Sequence, residues 1–212
     1  MSTKREEMNN RGFSLIELVV VVAIMALMVG MGSLAVSLLI GSEAKQAAEK
    51  IGAQLNEVKT GAMSRYSEDL NIVYVSDASL YDWADREGYY AVKQMTTLGA
   101  TGSGTYMPTE VALGAEHRYL CNSRVKMTLT TTSGGGSYDI NSTTAGIGFT
   151  FDRATGLYDS VKTNCVLTGS GAIDEPNVVL VAAQPQTLDI TSGLKTYHIT
   201  FINDTGKHKI EQ

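Results

Sequence analysis

The sequence predicts an α+β protein: one long N-terminal helix packed on a mainly antiparallel β-sheet head. Three observations carry that prediction. Residues 18–40 contain no charge, and only Gly30, Gly32, Ser33 and Ser37 interrupt their apolar run. Residues 44–66 repeat apolar side chains in steps of three and four, the period of one helix face. Beyond residue 70 the repeat shortens to two, as a strand with one buried face requires.

Residues 1–12 are short, polar and charged, and read as a leader ending in Arg11-Gly12. Residues 13–40 read as a transmembrane helix. At 1.5 Å per residue its uncharged part is roughly 34 Å long, enough to cross a hydrocarbon core of ~30 Å. A secretory signal has an apolar core of only about 7–15 residues, so retention is the expected outcome. Lys4, Arg5 and Arg11 precede the run and hold the N-terminus in the cytoplasm by the positive-inside tendency. The expected location is therefore the cytoplasmic membrane, single-pass, with the head outside the cytoplasm.

Residues 41–67 read as the amphipathic half of the same helix. Ala44, Ala48, Ile51, Leu55, Val58, Ala62 and Tyr66 make one stripe, and Lys45, Glu49, Lys50, Glu57 and Lys59 take the other faces. No proline interrupts residues 13–67, so the whole stretch reads as one helix. Gly30, Gly32, Gly41, Gly52 and Gly61 each weaken it by about 1 kcal/mol relative to Ala, and mark places for tight packing or bending.

Residues 68–212 form the β-rich head. Expected strands cover 72–75, 89–92, 124–131, 147–151, 178–182 and 197–202, with loops at 99–104 and 133–137 and a turn or loop at 82–87. A short echo links "FTFDRATGLYDSV" and "ITFINDTGKHKIE". Each reads as a strand, a turn with Gly156 or Gly206 at positive φ, and a return strand.

Composition excludes more than it assigns. The net charge of −5 offers no broad nucleic-acid-binding surface, and nucleic acid is not an expected partner. No nucleophile–base pair or metal spacing occurs among His117, His198 and His208, so neither an enzyme nor a cofactor is expected. Residues 99–104 lack the Gly-Lys-Ser/Thr ending of a phosphate loop. The stretch "YDWADREGYY" fits no calcium loop and reads as a solvated loop with aromatics packed on the head. Cys121 and Cys165 are the two cysteines, and on the exported side an even count favours a disulfide between them, free thiols being the alternative. In the chain-entropy model such a bridge contributes about 3–4 kcal/mol.

One residue is out of place in this scheme. Glu17 lies inside the membrane-length apolar region, where an ionisable side chain is costly and reads as functional. Gly12-Phe13-Ser14-Leu15-Ile16-Glu17 followed by an apolar helix resembles the class III signal of type IV pilins and type II secretion pseudopilins. The close match covers residues 11–40, and the Thr-Phe-x-x-x-Thr-Gly hairpins are more loosely similar to H-type minor pseudopilins. The resemblance implies cleavage between Gly12 and Phe13 by prepilin peptidase, N-methylation of Phe13, and an assembly role for Glu17. It implies a structural subunit of a type IV pilus, type II secretion or related filament. The implied partners are other pilins or pseudopilins, an inner-membrane assembly platform, indirectly its ATPase, and membrane lipid before assembly; a pilus would carry the subunit to the cell surface. The alternative on the same scaffold is a minor tip pilin acting as an adhesive or DNA-capturing module.

Overall fold

A computed structural model describes residues 14–64, 67–97, 111–132, 136–140, 146–174, 178–181 and 183–212. The chain divides into two compact units, Met1–Leu39 and Ile40–Gln212. The α-helix α1 runs Leu15–Ala62, ending before the expected residue 67, and Tyr66 lies outside the described residues.

In the second unit, Ala44, Ala48, Ile51, Leu55, Val58 and Ala62 of the stripe are at most 1% exposed. Ala47 is buried with them. Small residues on this face let the helix approach the strands closely. A Cβ on Gly52 would sit 2.9 Å from His208 Nε2, and one on Gly41 would sit 2.5 Å from Lys195 Cδ. The sequence marks both glycines as weak points of a helix; packing is the reason they are tolerated here.

Among the described residues eleven strands follow: β1 Ser67–Val75, β2 Gly88–Thr97, β3 Val111–Cys121, β4 Lys126–Thr131, β5 Ser137–Ile140, β6 Gly146–Phe151, β7 Tyr158–Cys165, β8 Val179–Val181, β9 Pro185–Ser192, β10 Lys195–Ile202 and β11 Lys207–Glu211. They form two sheets, ordered β3-β2-β1-β6-β7-β8 and β11-β10-β9-β4-β5. Every strand pair within them is antiparallel. The fold class is thus α+β and antiparallel, but the strands divide between two sheets where one was expected.

One core joins α1 to the inner faces of both sheets. Phe201 of β10 stacks 5.3 Å from Phe149 of β6 and meets Tyr158 of β7 edge-on at 5.1 Å, so aromatic contacts cross between the sheets. A second cluster covers the outer face of the six-stranded sheet. It is built from Val73, Val75, Tyr90, Val92, Cys165 and Ile173, with Trp83 packed against it. On that face Lys162 of β7 reaches over β6 to Asp69 of β1, Nζ to Oδ2 at 2.7 Å, with both side chains at most 6% exposed. Gly148 between them leaves the space: a Cβ there would meet Lys162 Cβ at 2.9 Å.

The two echoed segments are the hairpins β6–β7 and β10–β11, with Gly156 at φ 68° and Gly206 at φ 58°. Both turns meet the last turns of α1. Lys59 Nζ donates to Thr205 O at 2.9 Å and to Gly206 O at 3.1 Å, while Gly156 lies against Met63.

Candidate functional site

The candidate processing and assembly segment lies in the first unit. Gly12 and Phe13, the expected cleavage pair, lie outside the described residues. From Ser14 onward the geometry is that of a capped helix start. Ser14 O accepts from the N–H groups of Glu17 (3.0 Å) and Leu18 (3.2 Å), and Ser14 Oγ accepts from Glu17 N–H at 3.3 Å. This is half of a capping box, Ser-x-x-Glu, a signal written in the sequence at Ser14 and Glu17 that the apolar run around it masks. Glu17 stands in the first helical turn, where the N-terminal end of the helix dipole favours a carboxylate. The side chain therefore has a local role in starting the helix besides any role between subunits.

Around Glu17 the surface is apolar on every side. Each large apolar side chain from Leu15 to Val29 is at least 42% exposed. Contiguous apolar surface of this extent needs lipid or another protein to cover it. Among the described residues no helix is long and apolar enough to cross a membrane. The expected span over 13–40 extends beyond them, at Phe13 and at the side chains of 31–40.

The expected Cys121–Cys165 disulfide is not formed. Both cysteines are buried and no bond joins them. Cys121 ends β3 and packs in the core shared by α1 and the two sheets, whereas Cys165 ends β7 and packs in the outer cluster. The strand order β3-β2-β1-β6-β7 puts four strand spacings between them, about 19 Å, against the ~6 Å between Cα atoms that a disulfide needs. Burial pushes the Cys121 thiol up to about 12, so it is an unreactive core side chain. An even cysteine count on the exported side favours a bridge; sheet topology keeps the two sulfurs apart.

The acidic aromatic stretch is divided by its packing. A 3₁₀ turn, Ala78–Leu80, precedes it, and Trp83 then stacks on His117 with ring centroids 3.8 Å apart and meets Tyr90 edge-on at 5.2 Å. His117 Nε2 lies 2.7 Å from Gly171 O, tying the loop after β7 to the same cluster. His198 pairs with Asp189 on the neighbouring strand, Nδ1 to Oδ1 at 2.7 Å. His208 packs against the helix at Gly52, and burial followed by the Lys59 charge holds its imidazole below the usual range. The three histidines thus lie in three different settings.

Residues 8–33 match the family model described as the prokaryotic N-terminal methylation motif. No curated protein and no solved structure matches the chain. The chain carries the class III signal of type IV pilins and pseudopilins, which implies processing by prepilin peptidase and assembly with other pilins. The signal belongs to structural rather than catalytic proteins, and it supports a pilin- or pseudopilin-like protein.

Proposed function

We propose that this chain is a structural subunit of a type IV pilus, a type II secretion pseudopilus or a related filament. In this reading prepilin peptidase cuts between Gly12 and Phe13, and the new Phe13 amino group is methylated. The apolar helix over 13–40 then holds the subunit in the cytoplasmic membrane with its head outside. An assembly platform, driven indirectly by a cytoplasmic ATPase, moves it from lipid into the filament.

The observation that carries the proposal is the apolar surface from Leu15 to Val29, exposed on every face and interrupted by one carboxylate, Glu17, inside the matched motif. In an ordinary lipid anchor that carboxylate would serve only the start of the helix. In a filament a neighbouring subunit's Phe13 ammonium can face it across a low-dielectric core, where neither charge is stable alone, so the pair sets axial register.

Co-expression of the full chain with and without a prepilin peptidase tests the processing step. Intact-mass measurement should show loss of residues 1–12 and gain of one methyl group only when the peptidase is present. An unchanged mass in both cultures would overturn the proposal.

A further inference from the structure

We infer that the β9–β10 hairpin tip is a lipid-contacting foot of the head, seated on an anionic bilayer surface through Leu194 and a basic collar. The inference rests on the membrane-held subunit proposed above and assigns the head a contact of its own. Leu194 is 100% exposed, the most exposed of the large apolar side chains described. It is the second residue of a two-residue turn whose first, Gly193, takes φ 61°. Such turns tolerate small polar residues, and nothing in the packing of the head calls for a leucine there.

Its position gives the side chain a partner. Lys195, the next residue, lies against Gly41, one residue into the second unit. The tip therefore stands at the end of the head where the chain arrives from the apolar segment. Asn122, in the β3–β4 turn, donates to both Glu43 carboxylate oxygens at 2.9 and 3.0 Å, which brings that turn to the same end. Arg124 and Lys126 follow it and are exposed. Lys126 is in register with Thr191 and Lys195 with Ser192, so both cations flank the tip at one end of the five-stranded sheet.

The opposing charges lie farther from the tip or carry partners. Glu43 keeps its charge but accepts from Asn122. Asp139 accepts from Thr128 and Asp189 lies 2.7 Å from His198 Nδ1, both two residues along the sheet from Lys126. Asp77, Asp82, Asp85 and Glu87 belong to the loop between β1 and β2 of the six-stranded sheet. The head's lower end is basic and apolar under one sheet and acidic beside the other. An anionic surface would attract the first and repel the second, so the β9–β10 tip is the part of the head that the lipid would hold. An exposed apolar residue ringed by Lys and Arg is the arrangement that enters a headgroup layer.

The test uses the full chain reconstituted in phosphatidylglycerol-containing vesicles, with a fluorophore on Ser123→Cys beside the tip. A second sample carries it on Asp204→Cys, in the turn near Lys59 at the other end of the head helix. Lipids bearing a nitroxide near the headgroup should quench the label at 123 and spare the one at 204. Leu194→Asp should restore the emission at 123, and Lys195→Gln should restore part of it.

Unquenched emission at 123 would overturn the inference. So would quenching that Leu194→Asp leaves unchanged, which would reflect tethering alone. Quenching that disappears when protein is diluted in lipid would assign the tip to a second copy of the chain instead. Failure of the chain to float with the vesicles would overturn the membrane reading itself, a different result from any of these.

Discussion

At the scale of single residues, Glu17 has two physical roles that a substitution can separate. Its N–H is capped by Ser14, and its carboxylate sits at the positive end of the helix dipole. Glu17→Gln keeps the backbone cap and the side-chain shape but removes the charge. Processing should continue, while incorporation into filaments falls; removing one member of a buried pair costs roughly 3–5 kcal/mol. Mass spectrometry of the N-terminus beside quantification of sheared or envelope-bound filaments checks both halves, and full incorporation would remove the register role. His208 makes a pH prediction. Burial and the Lys59 ammonium lower its pKa from the ordinary 6.5, so the folded chain keeps it neutral where the unfolded chain takes up a proton. The unfolded state then binds more protons, and stability falls as pH drops below about 6.5. Urea denaturation at several pH values should show this loss, and His208→Gln should abolish it. Glu57 and Glu116 shift in the same direction from a different cause: hydrogen bonds, from Lys93 and Arg118 respectively, head the causes that lower their pKa values. Their stabilisation is present above the ordinary 4.5 and is lost as pH falls below it, a separate and more acidic window.

At the scale of elements, the two Thr-Gly hairpins are the part of the head whose local design is most specific. Their strands, turns and positive-φ glycines are all legible in the repeated pattern. Their proximity is not: a Cβ on Gly206 would clash with Gly156 O, so the two turns are in contact and each constrains the other. Gly206→Ala combines a left-handed backbone penalty of roughly 1–2 kcal/mol with that clash. A loss of at least about 2 kcal/mol in chemical denaturation is expected, more than the ordinary Gly-to-Ala effect in either direction. Strands β3, β5 and β9 are not among those the sequence predicts. For β9 the signal existed, since Leu188 and Ile190 alternate with polar neighbours after Pro185, a residue suited to the first position of a strand. For β3, the Val111–Cys121 pattern mixes small and charged residues, because this edge strand is paired on one side and bulged at Leu120. Lys50 covers that bulge by donating to Leu120 O at 2.9 Å, a long-range contact that keeps the edge from pairing elsewhere.

At the scale of the whole molecule, the unit Ile40–Gln212 has its own core, fed by the buried helix stripe and both sheets. A fragment beginning at Ile40 should therefore fold as a soluble, β-rich monomer with a short helix. Circular dichroism and size-exclusion chromatography check this. A soluble fragment with the spectrum of an unfolded chain would show that the head depends on the preceding segment.

The sequence by itself determined the features encoded within a few residues of one another. These are the uncharged apolar run, the helix stripe from Ala44 to Ala62, the glycines at the two hairpin turns, and the motif around Glu17. Each follows from side-chain period, backbone freedom or charge, all of which are local. Only the tertiary structure decided what depends on which strands become neighbours. It split the strands between two sheets, set Lys162 against Asp69 across Gly148, and put Cys121 and Cys165 on different faces of one sheet. Period two says that a strand has a buried face; it carries no information about which other strand lies beside it.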